Sequence, residues 1–262
     1  MCTLVLLRRP GNDWPVIVGA NRDEMVDRPW RGPDRHWPDR DEVVAGQDLE
    51  AGGTWLGLND HGVVAGILNR PGALGPAPGK RSRGELVLEA LDHADAADAA
   101  RALADIDGRA YRPFNLVIAD NRDAFWLTLR AEGGSVEMHP IAEGLSMITA
   151  NDLNDPETPR IRGFLPKFRE CPPPDPASGD WSDWQDLLAD TSSAPGDGPA
   201  GAMTIETEVG FGTVSSSLIA LPAITLPDAP AHWLFAAGPP NQTPYQPVPA
   251  VKRQTAGANG GS

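Results

Sequence analysis

The chain has 262 residues, of which 40% are hydrophobic, and it carries a formal net charge of −14. This length allows one large domain or two small ones, and the hydrophobic content is sufficient for a packed core. The strong negative charge excludes a nucleic-acid footprint and a general attraction to anionic membranes, since both need clustered Lys and Arg.

The chain contains two cysteines, Cys2 and Cys171, and a disulfide framework normally uses more, so we predict a reducing compartment. The apolar stretch at the N-terminus is too short for the core of a signal peptide. No later apolar run approaches the ~18 residues of a membrane span. We therefore predict a cytoplasmic protein with no membrane span and no nucleic-acid partner.

The first third of the chain predicts two β-hairpins, because short apolar runs alternate with turns rich in Gly, Pro, Asn and Asp. The predicted strands are 2–8 paired with 16–20, and 52–58 paired with 63–69. Between the two hairpins, residues 25–41 are rich in Arg, Pro, Trp and Asp without any periodicity. That composition predicts a long irregular segment of the kind that often covers a pocket.

The rest of the chain predicts two pairs of helices separated and followed by strands. Ser82 and Glu85 form a capping-box pattern for a helix that reaches about residue 93, and an alanine-rich helix follows over 95–106. Thr158 with Pro159 predicts another helix start, and Ser182 opens a fourth helix. The further predicted strands are 114–119, 124–129, 136–139, 145–149, 203–209, 213–221 and 231–236.

This order of elements is typical of an α+β domain in which helices stack on antiparallel sheets. The sequence shows no internal repeat and no convincing linker. We therefore predict a single domain over residues 1–250. Residues 251–262 lack any apolar anchor, which predicts a loose C-terminal tail.

Cys2 is the first candidate for chemistry. Removal of Met1 would leave Cys2 with both a thiol and a free α-amine, and a residue in that position can act as nucleophile and base together. The alternative is that Cys2 is a small hydrophobic residue on the first strand, since free cysteine is among the most buried residue types. Taken alone, the residue favours the second interpretation.

Several motifs together resemble one known family. They are Met1-Cys2-Thr3, Asn21-Arg22-Asp23-Glu24 followed by Arg28-Pro29, the run Gly52-Gly53-Thr54-Trp55-Leu56-Gly57, and Asn69. As an ordered set they resemble the NRDE family, also called the transport and Golgi organisation 2 family. The match spans most of the chain, although the motifs lie in its first seventy residues. The resemblance implies the N-terminal nucleophile hydrolase fold, a four-layer αββα sandwich of antiparallel sheets.

The resemblance extends faintly to the cysteine amidases of that superfamily, such as the bile-salt and penicillin V acylases. It implies catalytic roles for four residues: Cys2 as nucleophile, Asp23 as holder of the α-amine, and Asn69 and Asn151 as groups that orient the site and stabilise an oxyanion. Two arginines of the related proteins are absent, because Ala20 and Val214 stand at those positions.

The segment from Arg28 to Trp37 is basic and aromatic in an otherwise acidic chain. Its flat rings and guanidinium groups predict a ligand clamp over the cleft between the sheets, acting through stacking and bidentate hydrogen bonds. The predicted ligand-binding residues are Arg22, Arg28, Trp30, Arg31, Arg35, His36 and Trp37. The alternative is a proline-stiffened surface loop whose tryptophans pack on the sheet. The histidines show no metal-ligand spacing, so no metal site is predicted.

Two classes of function stay open. The resemblance implies a carrier of a small amphipathic ligand, with haem favoured over acyl-CoA or another lipid, because members of the family are linked to haem trafficking and to acyl-CoA and lipid homeostasis. The second class is an N-terminal-cysteine amidohydrolase acting on a C–N bond outside peptides. The two missing arginines favour the carrier. We expect no required cofactor, with haem as one candidate cargo.

Overall fold

A computed structural model describes residues 2–248, which form two antiparallel β-sheets and four helices in that part of the chain. The strands are β1 (Thr3–Arg8), β2 (Val16–Met25), β3 (Trp30–Asp34), β4 (Val43–Asp48), β5 (Leu56–Asn59), β6 (Val64–Asn69), β7 (Phe114–Ala119), β8 (Ala124–Leu129), β9 (Glu137–Pro140), β10 (Gly144–Ile148), β11 (Phe211–Leu221), β12 (His232–Ala236) and β13 (Gln246–Pro247). The helices are α1 (Gly84–Leu91), α2 (Ala96–Ala104), α3 (Pro159–Glu170) and α4 (Ser182–Ala189).

The first sheet has the strand order β10-β1-β2-β11-β12-β13, and the second has β3-β4-β5-β6-β7-β8-β9. The predicted first hairpin is confirmed, with Thr3 opposite Asn21 at one end and Arg8 opposite Val16 at the other. Strand β2 also pairs along its whole length with β11. These pairings place the N-terminal residues in the middle of the first sheet, where they are surrounded by structure on both faces.

Strand alternation explains how the layers stack, because successive side chains of a strand point to opposite faces. Leu4 and Leu6 of β1 join a core shared by both sheets, whereas Val5 faces a second core formed with α3 and α4. A third core joins the outer face of the second sheet to α1 and α2. The result is the predicted four-layer αββα sandwich, which is confirmed.

The prediction of an irregular segment over 25–41 is wrong in part. Strand β2 runs on to Met25, and Trp30–Asp34 forms the edge strand β3, which pairs with the unpredicted strand β4. Trp30 packs edge-to-face against Trp55 and Phe235, with ring centroids 5.8 and 5.9 Å apart. This aromatic contact between the two sheets holds the segment in an extended conformation.

The prediction of a strand over 203–209 is also wrong. The backbone N–H groups of Met203 and Thr204 both donate to the carbonyl of Asp190 at the end of α4, and a single bridge joins Glu206 to Gly212. Because those two N–H groups are used by the helix end, they are not available to a strand ladder. The tail predicted over 251–262 lies outside the described residues.

The helix starts are predicted better than their capping contacts. Asp95 caps α2 through bonds to two backbone N–H groups, and Thr158 precedes Pro159 at the start of α3 as predicted. The capping box of Ser82 and Glu85 is wrong, since α1 begins after Arg83 and the Ser82 Oγ accepts a bond from the Gly84 N–H at 3.3 Å. Helix α4 begins after Trp181, whose side chain makes no capping bond.

Candidate functional site

A cavity of about 340 Å³ lies where β2 and β6 meet the segment leading into α1, and Cys2 forms part of its wall. This volume is within the range of small-molecule sites in proteins. A second space of about 20 Å³, lined by Cys2, Arg22, Trp55 and Ser215 among others, continues between the two sheets. Cys2 and Arg22 line both spaces, so they stand at the inner end of the larger cavity.

The Cys2 thiol is held against the backbone of β2. Its Sγ lies 3.4 Å from both the carbonyl oxygen and the amide nitrogen of Asp23. Burial raises the pKa of the Cys2 thiol, and the nearby carboxylate of Asp23 adds to that rise. The thiol is therefore neutral at neutral pH and needs a neighbouring base before it can attack an electrophile. The free α-amine predicted for that role depends on Met1, which lies outside the described residues.

The carboxylate of Asp23 faces the helical layer on the other side of the sheet. Arg160 Nη1 donates to Asp23 Oδ2 at 3.0 Å and to Thr3 Oγ1 at 2.7 Å, while Thr213 Oγ1 donates to Asp23 Oδ1 at 2.7 Å. Neither side chain of the Asp23–Arg160 pair has any exposed surface. The pair joins α3 to β1 and β2 directly behind Cys2, which fixes the backbone that carries the thiol.

Sequence analysis missed Arg160, although the sequence holds a signal for it. Arg160 precedes Phe164 and Phe168 by four and eight residues, so it falls on the apolar stripe of α3 and is fully buried with them. A charged residue on such a stripe needs a partner inside the protein. That partner, Asp23, lies 137 residues earlier in the chain.

Arg22 points from β2 to the opposite face, into the space between the sheets. Its guanidinium carbon lies 4.1 Å from the centroid of the Trp55 ring, and its Nη2 lies 3.5 Å from Asp48 Oδ2. The neighbouring Arg28 donates to both oxygens of the same carboxylate, from Nε at 2.7 Å and from Nη2 at 3.2 Å. The structure therefore brings two predicted ligand-binding residues, Arg22 and Arg28, to the cavity.

Four more cations line the cavity, and sequence analysis missed them as site residues. The cationic lining consists of Arg22, Arg28, Lys80, Arg81, Arg83 and Arg112, and the anionic lining of Glu24, Asp48 and Glu50. Burial, with the charge of Arg112, lowers the pKa of Arg83 to about 10, so its guanidinium keeps its proton at neutral pH. The lining thus holds three more cations than carboxylates in a chain of net charge −14, and one of those cations, Arg81, also pairs with Glu85 and Glu89 outside the wall. The string Lys80-Arg81-Ser82-Arg83 was the available signal, which we interpreted only as a helix start.

The two predicted asparagines behave differently. Asn69 lines the cavity at the end of β6, as the resemblance implies. Asn151 is not among the lining residues, and its Nδ2 donates to Thr158 Oγ1 at 2.8 Å while its carbonyl accepts a bond from Asn115. Asn151 therefore connects the loop after β10 to the start of α3.

The structure places five predicted clamp residues outside the cavity wall: Trp30, Arg31, Arg35, His36 and Trp37. Arg31 is exposed, and Arg35 pairs with Asp60 at 2.6 Å. The predicted clamp over the cleft is therefore not formed by these side chains. A role for them in ligand binding stays a prediction.

No group of three or more His, Cys, Asp or Glu side chains within residues 2–248 is placed to share a metal ion. Cys2 and Cys171 are both free thiols. Of the helices that the structure describes, none is long and apolar enough to cross a membrane.

Comparison with known proteins gives the family and the fold. The family model for Transport and Golgi organisation 2 matches residues 1–175. The homologue of that protein from Bos taurus is 36% identical over 130 residues, which are 48% of this chain and 43% of the bovine protein. The homologue from Mus musculus is 35% identical over 114 residues, covering 42% of this chain and 40% of the murine one. The chain thus matches about two-fifths of the length of these relatives.

Two solved structures share the architecture at low identity. An N-acylethanolamine-hydrolyzing acid amidase orthologue from Caenorhabditis elegans superimposes with a TM-score of 0.59 at 14% identity, over 83% of this chain and 92% of that one. Conjugated bile acid hydrolase from Clostridium perfringens gives a TM-score of 0.54 at 12% identity, over 94% and 92%. The chain therefore belongs to the Transport and Golgi organisation 2 family and has the N-terminal nucleophile hydrolase fold.

Proposed function

We propose that the protein binds an amphipathic acyl compound with an anionic head group, such as an acyl-CoA, in the cavity that ends at Cys2. One observation carries this proposal: six cations and three carboxylates line the cavity of a chain whose net charge is −14. Arginine forks suit phosphate and carboxylate groups. Trp55, Ile67 and Pro76 supply apolar wall for an acyl part.

The lining favours an acyl ligand over haem. Proteins hold haem iron through His, thiolate, Met or Tyr side chains, and no histidine within the described residues lines the cavity. Cys2 offers a sulfur, but burial raises its thiol pKa, and the thiolate is the form that binds metals. Haem therefore serves as the comparison ligand in the test below.

Titration tests the proposal with a matched pair of double variants. Lys80→Gln with Arg81→Gln removes two cations from the cavity wall, whereas Arg31→Gln with Arg35→Gln removes two cations that do not line it. We expect the first variant to weaken palmitoyl-CoA binding about tenfold or more, since a hydrogen bond to a charged group contributes ~1.5 to 3 kcal/mol. The second variant should bind like the unaltered protein. Equal losses in both variants would contradict the proposed site, and tighter binding of haem than of palmitoyl-CoA would contradict the proposed ligand.

A second candidate function is hydrolysis of the bound acyl compound by Cys2. The observation that favours it is the buried Asp23–Arg160 pair behind Cys2, which lines the cavity together with Asn69. The amidase and the bile acid hydrolase that share the fold carry hydrolase names. In this hypothesis a base takes the thiol proton as the sulfur attacks the acyl carbonyl, and an amide N–H of Asn69 donates to the oxyanion that forms. The C–N or C–S bond then breaks as the leaving group departs with that proton, and water cleaves the acyl-cysteine to release the acid and the thiol.

Turnover separates the two candidates. Palmitoyl-CoA and N-palmitoyl amides are incubated with the protein, and free CoA or palmitate is measured. Loss of product in a Cys2→Ala variant that still binds the ligand would support hydrolysis, and Asn69→Ala should then cost ~2.7 to 4 kcal/mol of activation free energy. If the unaltered protein binds the ligand tightly but forms no product, the result would support binding and contradict hydrolysis.

A further inference from the structure

The Nη1 group of Arg22 is a buried hydrogen-bond donor for which the described residues supply no acceptor. The Arg22 side chain as a whole is 5% exposed. Buried donors in proteins are nearly always satisfied, so an exception calls for an explanation. The exception here belongs to a cation that lines both spaces next to Cys2.

The contacts that Arg22 makes with Asp48 and Trp55 do not explain why this residue carries a charge. The carboxylate of Asp48 is already satisfied, because Arg28 bonds to both its oxygens and the backbone N–H groups of Glu50 and Ala51 donate to it. The 3.5 Å separation between Arg22 and that carboxylate adds a weak ion pair. Packing on the Trp55 ring, with the guanidinium carbon 4.1 Å from the ring centroid, needs a flat side chain but does not supply an acceptor for the buried Nη1.

Arg22 and the Cys2 thiol face the same space. Strand alternation sends Asp23 to the helical layer and Arg22 to the space between the sheets, where Cys2 also packs. Burial lowers the pKa of Arg22, and the adjacent Cys2 acts in the opposite direction. Arg22 and Cys2 therefore both border the space that the reactive end of a ligand would enter.

We propose that Arg22 is an inner anion site, which holds a carboxylate oxygen of a ligand against the Cys2 thiol. The substrate class is then an acyl compound or other carbon electrophile that carries a carboxylate on the atom next to the reacting carbon. This inference rests on the proposed function, since it places the reactive end of the ligand in the same cavity. In this arrangement Lys80 and Arg81 bind the head group of the ligand at the outer end of the cavity. Arg22 binds the carboxylate at the reactive end of the ligand.

Alkylation with iodoacetate and iodoacetamide tests the inner site without any knowledge of the natural ligand. In both reactions the Cys2 sulfur forms a bond to the CH₂ carbon as the C–I bond breaks, iodide leaves, and the thiol proton passes to the buffer. Only iodoacetate places a carboxylate on the neighbouring carbon. The rate ratio of the two reagents at Cys2 is measured by mass spectrometry of the N-terminal peptide, with the urea-unfolded chain as reference.

We expect the folded protein to favour iodoacetate about tenfold or more relative to the unfolded chain, as one charged hydrogen bond permits. Arg22→Gln should return the ratio to the unfolded value, and Arg22→Lys should keep part of it. Arg31→Gln, which removes an exposed charge outside the cavity, should change nothing. Tryptophan fluorescence of each variant confirms folding, and Arg22→Lys carries the test if Arg22→Gln does not fold.

Two results would overturn the inner site. One is a folded-state ratio at Cys2 equal to that of the unfolded chain. The other is an equal loss of iodoacetate preference in Arg22→Gln and in the double variant Lys80→Gln with Arg81→Gln, because that outcome assigns the effect to the general field of the cavity. Either result, with palmitoyl-CoA binding still dependent on Lys80 and Arg81, would refute the inner site and leave the proposed function standing.

Discussion

Replacing Arg160 with methionine is expected to destabilise the fold by about 3 to 5 kcal/mol, the usual cost of removing one partner of a buried ion pair. The structure supports the full figure, because neither Arg160 nor Asp23 has exposed surface and solvent screening does not weaken their interaction. The change removes the bonds from Nη1 to Asp23 and Thr3, while Thr213 still donates to the Asp23 carboxylate. Methionine fills a similar volume, so the cavity left behind is small.

Urea unfolding followed by tryptophan fluorescence measures the loss. The matched control is Arg162→Met, two residues further along α3, where a half-exposed arginine pairs with Asp197 at 2.7 Å. An exposed pair of this kind contributes ~0 to 1 kcal/mol. The double variant Asp23→Asn with Arg160→Met should lose less than the sum of the single variants, since the partners interact directly. A loss in Arg160→Met no larger than in Arg162→Met would refute the structural role of the buried pair.

Three further outcomes are expected. Because burial raises the pKa of the Cys2 thiol, the midpoint of its alkylation rate against pH should lie above that of a free cysteine and fall on unfolding; a midpoint at or below the free value would contradict the buried geometry. Gly53→Ala should destabilise the fold by about 1 to 3 kcal/mol, since the new Cβ would lie 2.5 Å from the carbonyl carbon of Gly84. In the same urea assay, Gly163→Ala in helix α3 should be neutral or stabilising by up to ~1 kcal/mol, since its Cβ would have nothing within 4 Å. Asn59→Ala should lose about 2 to 4 kcal/mol, because four hydrogen bonds of a fully buried side chain disappear, and a loss below ~1 kcal/mol in thermal unfolding would show that these bonds contribute little.

The motif Asn21-Arg22-Asp23-Glu24 shows what strand periodicity predicts from sequence. Alternate side chains of a strand face opposite sides. Asn21 and Asp23 accordingly face the helical layer, where Asn21 bonds to the carbonyls of Leu188 and Met203, whereas Arg22 and Glu24 line the cavity. The two faces follow from the sequence once the strand is known to extend this far. The sequence-based strand ended at residue 20, so this division was missed.

Contacts between distant segments account for most of what sequence analysis missed. The partner of Asp23 comes from α3, and the outer cations come from the segment before α1, and neither contact has a local signal in the motif itself. The edge strand β3 and its neighbour β4 were missed for a related reason. Val43-Val44-Ala45 is a short apolar run without alternation, and its strand is defined by pairing with β5 rather than by its own pattern.

The two hairpins and the α+β class were predictable because they depend on local features. Short apolar runs and turns rich in Gly, Asn and Asp mark the strands of the N-terminal third, and Thr158 with Pro159 marks the start of α3. The four-layer order was instead implied by the family resemblance, and it results when both sheets bury one face against each other and the other face against helices. The position of a ligand cavity at one end of the sandwich depends on tertiary packing, which the sequence pattern does not encode.

Protection of Cys2 by ligand is the measurement that tests the central claim most directly. Iodoacetamide modification is followed at Cys2 and at Cys171 in the same molecule, with and without saturating palmitoyl-CoA. A ligand in the cavity that ends at Cys2 should slow modification of Cys2 at least about tenfold, matching the fraction of sites left open at that saturation, while Cys171, which does not line the cavity, keeps its rate. Saturable binding that leaves the Cys2 rate unchanged would contradict the proposed site.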